Sequence, residues 1–309
     1  MGIIEKIREK ARSNPKTIIL PEYFDKRVVE AAKIIEKEKI ANVILLTKDK
    51  VNPQDKERYI NQYYEAKKGR GFTIESVRDM FEDTLYCAAM MTKEGKADGF
   101  VAGAAHTTAD MARAAIHCLE IDPHITIACS CFIMAVPDCI FGEHGTFVFA
   151  DCGIIPDPNS RQLACISIAA AELASKILGI PPRVALLSYS TKGSAKNKVI
   201  DTVTEALSIA RTMSPDLLID GELQVDAAIV PEVAKIKCPD SPVAGRANVL
   251  IFPDLEAGNI GYKIVERLAK ARALGPLLLG LNKPCSDLSR GCSVEDVVDC
   301  TAVTAIRAQ

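Results

Sequence analysis

Residues 183–213 read RVALLSYSTKGSAKNKVIDTVTEALSIARTM. A short β-branched and apolar run, RVALLSY, opens into the small and polar residues Ser190, Thr191, Lys192, Gly193 and Ser194. An amphipathic helical stretch then follows over 194–213. A strand that empties into a polar loop and returns as a long helix is the repeating unit of α/β proteins with a largely parallel sheet. The same alternation extends outward in both directions. Strands are expected at 17–20, 42–46, 99–102, 126–136, 146–150, 183–188, 217–220 and 248–252. Helical spacing lies between them: over 25–37, Val28, Val29, Ala32 and Ile35 share one side with charges opposite, and a long helix is expected at 160–178. No repeat of about 20–50 residues is visible.

A length of 309 residues suggests about two domains. No Pro/Gly/Ser linker divides them. The least periodic stretch, 142–158, carries the turn signals GEHG and PDPNS and is a candidate crossing between domains. With 38 basic against 40 acidic side chains, the net charge of −2 disfavours a broad grip on nucleic acid or anionic lipid. No apolar run approaches the roughly 20 residues of a membrane helix. The opening MGIIEKIREKARSNPK is charged and helix-like, without a signal core, and Lys6 stands where a myristoylation signal requires Ser or Thr. Eleven scattered cysteines without a C-x-x-C pair, and four histidines without zinc spacing, point to a cytoplasmic, reduced, metal-free protein. Cys129 and Cys131 are expected as neighbours on one face of a buried strand.

In parallel sheets, ligands bind where strand ends lead into helix N-termini, whose exposed N–H groups and dipole favour anions. Four segments have that form: GAAHTTADMAR (103–113), SYSTKGSAKNK (188–198), FPDLEAGNIGYK (252–263) and SDLSRGCSVED (286–296). The second is the most suggestive of phosphate, yet it has Lys-Gly-Ser rather than Gly-Lys-Ser and lacks the upstream Gly of a Walker loop. On pattern alone a Ser-capped helix start with solvated lysines is the leading reading, since Ser and Thr are ordinary caps. In the first, Thr107 and Asp110 form a capping-box pattern, Arg113 falls within the first two turns, and His106 precedes the cap. Arg113 reads as an anion ligand or an exposed helix arginine, and His106 as a cleft residue or a hydrogen-bonded loop residue. In the third, Gly258 and Gly261 admit a ligand or relieve packing. In the last, Ser293 and Asp296 again fit a capping box, so Asp296 is a cap, a catalyst or both.

The segments SYSTKGSAK, DGELQVDAA, GRANVLIFPDLEAGNIGYK and DLSRGCSVEDVV, with GAAHTTAD and VPDC at 136–139, resemble the phosphate acetyltransferases (phosphotransacetylases) over nearly the whole chain. The resemblance implies the reaction acetyl-CoA + phosphate ⇌ acetyl phosphate + CoA, with no cofactor and no active-site metal. It implies a two-domain α/β fold like that of isocitrate and isopropylmalate dehydrogenases, usually a homodimer, with the active cleft between domains. Domain one would be 1–122 plus 277–309 and domain two 123–276, placing the 142–158 boundary about twenty residues late.

By the same resemblance, Ser289 and Arg290 match the family's Ser-Arg pair, Asp296 its proposed catalytic aspartate, and Arg113 its arginine in the H-T/S-x-x-D-x-x-R stretch. Cys139 matches a cysteine near the site that is not the nucleophile. The family's arginine after Tyr-Glu-x, associated with the phosphates of CoA, is replaced by Lys67 in YEAKKGR (64–70). Lysine keeps the charge but loses the planar fork, so CoA binding is expected to weaken or to be shared with Lys68 or Arg70. Ala114 stands where the family commonly has proline. The loop residues Ser190, Thr191, Lys192, Gly193 and Ser194 are expected to help bind substrate.

A free thiol has a pKa near 8.5, so acyl transfer to it needs a base, a stabilised oxyanion and a neutralised phosphate. Asp296 is assigned the proton, Ser289 the sulfur, and Arg290 with Arg113 the phosphate charge. No Ser-His-Asp triad or G-x-S-x-G elbow is required. The alternatives are a phosphate butyryltransferase and, from another class, a non-catalytic acetyl-CoA sensor like the related domain fused to some malic enzymes. A nicotinamide-linked dehydrogenase lacks the G-x-G-x-x-G it would need.

Overall fold

The computed structural model describes residues 2–309. They divide into two compact units: one comprises the chain up to Ile121 with a return segment from Leu281 to Gln309, the other runs from Asp122 to Gly280. The breaks fall at 121/122 and 280/281, against the expected 122/123 and 276/277, and the loop-rich 142–158 stretch lies inside the second unit.

The first unit begins α1 (Ile3–Ser13), β1 (Thr17–Leu20), α2 (Lys26–Lys37), β2 (Asn42–Leu45), α3 (Pro53–Lys67), α4 (Ile74–Met80), α5 (Thr84–Lys93), β3 (Gly99–Ala102) and α6 (Thr108–Leu119). β1 pairs in parallel with β2 on one side and β3 on the other. Asp25 caps α2 by accepting from the Arg27 amide, and Val28, Ala31, Ala32 and Ile35 form the buried face. Ala31 therefore takes the core position expected of Val29, which is only half-buried.

The second unit contains β4 (Cys129–Ala135), β5 (Thr146–Ala150), α7 (Ser160–Leu173), β6 (Val184–Leu187), α8 (Lys198–Met213), β7 (Ile219–Leu223), α9 (Val225–Ile229), α10 (Pro231–Lys237), β8 (Val249–Ile251), α11 (Leu255–Leu268) and β9 (Arg272–Leu279). A single π turn, Ala174–Leu178, extends α7. The strands lie in the order β9–β4–β5–β8–β6–β7, with β4 antiparallel to both neighbours and the remaining pairs parallel. Cys129 and Cys131 are both buried on β4. β9 was not expected, because Gly275 and Pro276 punctuate an otherwise apolar run. The ladder accommodates them where the β4–β9 register shifts between Cys131 and Ile133. The stretch 252–263 is not a loop: Asp254 caps α11, and a Cβ at Gly258 would meet the Asp151 carbonyl at 2.2 Å, so that glycine serves packing.

The chain then returns to the first unit as β10 (Cys285–Asp287) and α12 (Val294–Arg307). β10 runs parallel to β3, completing the order β2–β1–β3–β10. α12 packs on α1, α2 and β3, burying Val297, Val298, Val303 and Ile306. Each large apolar chain contributes about 1.5–3 kcal/mol on burial, enough to hold the helix N-terminus in place. No helix among the described residues is long and apolar enough to cross a membrane.

Candidate active site

Parallel β1, β3 and β10 release their loops at one edge of the first unit's sheet, the edge where such sheets bind ligands. The loop after β3 must press against the segment after β10. A Cβ at Gly103, whose φ is +113°, would lie 2.1 Å from Asp287 Oδ1 and 2.5 Å from the Leu288 amide nitrogen. Only glycine fits that approach.

Glu22, fully buried after β1, receives the next three amides: Ala104 N at 2.9 Å, Ala105 N at 2.8 Å and His106 N at 3.0 Å. The anion site ahead of α6 is thus filled by the protein's own carboxylate. His106 Nδ1 lies 2.7 Å from Glu22 and its Nε2 2.9 Å from Asp83. Of its two readings, the structure gives His106 that of a hydrogen-bonded loop residue. The bonds to Asp83 and Glu22 outweigh burial and push the imidazole up to about 10, so it is a cation between two carboxylates. For Glu22, burial pushes upward, but the His106 bond and the amides prevail and hold the carboxyl below its ordinary value.

This triad has a measurable signature. The imidazole binds a proton more tightly folded (about 10) than unfolded (6.5), so its stabilisation is complete below pH 6.5 and declines as pH rises through 10. His106→Ala should cost on the order of 3 kcal/mol at pH 6, because Glu22 loses its charged partner. The difference from wild type in chemical denaturation should shrink at pH 9.5; a difference independent of pH would remove the imidazolium from this account.

Asp287 ends β10, fully buried. Its Oδ1 accepts from the Leu288 amide at 2.9 Å, and its Oδ2 has no hydrogen-bond partner. Burial, with nearby Glu22 adding to it, pushes this carboxyl up to about 7. It lies buried beneath the loop after β3.

Above it lie Ser289 and Arg290, both exposed. The Ser289 carbonyl accepts from Cys292 N at 2.8 Å and its Oγ accepts from Gly291 N at 3.2 Å, forming a tight turn. The Arg290 guanidinium forms no ion pair among the described residues, whereas its carbonyl accepts from Arg27 at 2.8 Å. The turn leads into α12, where the expected capping box is present: Ser293 N donates to Asp296 Oδ2 at 2.8 Å and Asp296 N to Ser293 Oγ at 3.2 Å. Asp296 is thus a cap, half-buried beside the Ser-Arg turn.

Arg113 lies on α6, exposed, 3.0 Å from Asp110. Thr107 caps that helix by accepting from Asp110 N at 3.2 Å. Lys67, the last residue of α3, is pulled below the ordinary lysine value by burial and by nearby Arg70. His117, which meets Tyr63 Oη at 2.7 Å, is pulled down by burial and by Lys67, Arg113 and Arg70. Lys68 instead turns to Glu65 at 3.2 Å.

The second unit treats its expected phosphate loop in the same way. Glu222 Oε1 accepts from Gly193 N at 2.7 Å and Ser190 Oγ at 3.0 Å. Lys192 Nζ reaches Asp220 at 2.6 Å and the Gly221 carbonyl at 2.8 Å. Ser194 Oγ accepts from Thr191 N at 3.1 Å, and Thr191 Oγ1 accepts from Gln224 N at 2.9 Å. A carboxylate occupies the nest a phosphate would fill, and α8 starts at Lys198 capped by Asn197, not at residue 194. Cys139, half-buried, packs against the second unit's apolar core.

Fold and sequence together define an acyltransferase: residues 2–305 match the phosphate acetyl/butaryl transferase family, and the chain belongs to it. Among relatives, it is 49% identical to the phosphate acetyltransferase of Thermoanaerobacterium thermosaccharolyticum over 100% of both chains. It is 48% identical to that of Acetivibrio thermocellus, over 100% of this chain and 99% of the relative. The phosphotransacetylase crystal structure from Streptococcus pyogenes superposes with a TM-score of 0.90 at 41% identity, covering 99% of this chain and 98% of that one. The expected α/β fold is the one that structure shares.

Two contributors escaped the sequence reading. Arg27 and Glu22 reach the site through contacts 77–265 residues away along the chain, and neither sits in a motif.

Proposed function

We propose that this protein interconverts acetyl-CoA and phosphate with acetyl phosphate and CoA, by direct attack within a ternary complex. The observation that carries the reading is the Arg290 guanidinium, exposed and without an ion pair among the described residues, beside the Ser289 hydroxyl on a turn held by its own backbone. In the direction of acetyl-CoA synthesis, the CoA thiol gives its proton to Asp296 and its sulfur attacks the acetyl carbonyl. The C–S bond forms, the C–O bond to phosphate breaks, and phosphate leaves. Arg290 offers paired donors to the phosphate and the developing oxyanion, and Ser289 orients the sulfur. Arg113 shares the phosphate charge. The protein works as a homodimer in the cytoplasm.

Lys67, which stands in the place of the family's arginine at the end of α3, and Arg70 three residues on divide the task of holding the phosphates of CoA, while Lys68 is paired with Glu65. Arg70→Ala should raise KM for CoA by about tenfold and leave KM for phosphate unchanged; the reverse pattern would move Arg70 to the phosphate side.

The test of function is thiol release from acetyl-CoA, followed colorimetrically with chelator present. Release that requires phosphate and yields an equal amount of acetyl phosphate supports the reading. Binding of acetyl-CoA without release would favour a sensor, and faster release from butyryl-CoA the butyryl enzyme. The names of the relatives favour acetyl.

A further inference from the structure

Arg27 looks, in sequence, like one of several charges on the outer face of α2. Its guanidinium has five N–H donors, and five bonds leave it. Nε and Nη2 grip Asp25 at 3.1 and 2.7 Å. Nη1 donates to the carbonyls of Arg290 at 2.8 Å and Cys292 at 2.9 Å, and Nη2 also donates to the carbonyl of Ala104 at 2.8 Å. One planar group thus joins the loop after β3 to the turn after β10. Asp25, which also caps α2 through the Arg27 amide at 2.8 Å, sets the plane of that group.

We infer that Arg27 is a positioning residue: it fixes the peptides that leave Arg290 and Cys292, and through them the direction in which the Ser289–Arg290 turn presents its side chains. The carbonyl of residue 290 lies within the turn and that of residue 292 just beyond it, so Arg27 ties the turn at two points that its own Cys292 N to Ser289 O (2.8 Å) and Gly291 N to Ser289 Oγ (3.2 Å) bonds leave open. The turn carries Gly291, whose backbone is permissive, so without Arg27 the direction of the Arg290 carbonyl is restrained only by the turn's own two bonds. Lysine cannot replace the fork, because three donors on a point charge cannot meet three carbonyls and a carboxylate in fixed directions. The inference rests on the proposed role of Arg290.

Steady-state kinetics of Arg27→Ala, Arg27→Lys and Arg290→Ala, varying phosphate and CoA separately, provides the test. Misplacing a catalytic group by about 1 Å can cost on the order of a hundredfold. Both Arg27 variants should lower kcat about 10- to 100-fold and raise KM for phosphate about tenfold, with KM for CoA within about twofold of wild type. Should Arg27→Ala fail to fold, Arg27→Lys carries the test. Wild-type kcat and phosphate KM in a folded Arg27 variant, with Arg290→Ala impaired, would overturn the positioning role and leave the proposed function standing. Wild-type kinetics in Arg290→Ala would overturn both.

Discussion

Arg290→Ala should lower turnover by about two to three orders of magnitude while circular dichroism and melting temperature stay near wild type. The magnitude follows from what one preorganised donor to a developing oxyanion contributes, and Arg290 is assigned both that charge and the phosphate. The unchanged stability follows from the structure. The side chain is exposed and forms no ion pair among the described residues, and the turn is held through backbone groups that alanine retains. Arg290→Lys should recover only part of the activity, since a point charge cannot grip phosphate with two parallel bonds. An alanine variant with most of its turnover intact would exclude the phosphate role.

Asp296→Asn should depress turnover by about two to four orders of magnitude, the range for losing a general base. Ser293→Ala should leave turnover close to wild type. The comparison is informative because both residues belong to one capping box. Asparagine can still accept the Ser293 amide through its side-chain oxygen, so Asp296→Asn keeps the cap and removes the base. Ser293→Ala removes the other half of the box and should cost about 1 kcal/mol of stability. If both variants lose similar stability and keep similar turnover, Asp296 caps α12 and has no part in the chemistry.

What the sequence disclosed follows from how local each determinant is. β1, β3 and β5 were readable to the residue, because a short apolar run bounded by turn residues needs no distant partner to be recognised. β9 was not, since Gly275 and Pro276 are breakers unless a neighbouring strand absorbs them. The start of α8 was misplaced because Ser194 resembles a cap, yet its hydroxyl serves the Thr191 amide inside the preceding loop. In that loop the sequence shows the donors but not what they bind. Glu222, distant in sequence, decides whether the donors face outward or are taken up internally.

The candidate site divides in the same way. Ser289, Arg290, Asp296 and Arg113 stand in long motifs, and their proposed roles come from resemblance. Glu22 and Arg27 stand in no motif. Each acts through backbone groups of residues that the fold alone brings near, and backbone groups leave no pattern in a sequence. His106 was visible but undecided, because its charge depends on Asp83 and Glu22 together.

The most direct test of the transfer mechanism is isotope exchange between labelled CoA and acetyl-CoA, measured with and without phosphate. Direct transfer within a ternary complex gives exchange only when phosphate is present, because the acetyl group has nowhere else to go. Exchange at a comparable rate in phosphate-free solution would mean that the acetyl group is parked on the protein, and would contradict the account.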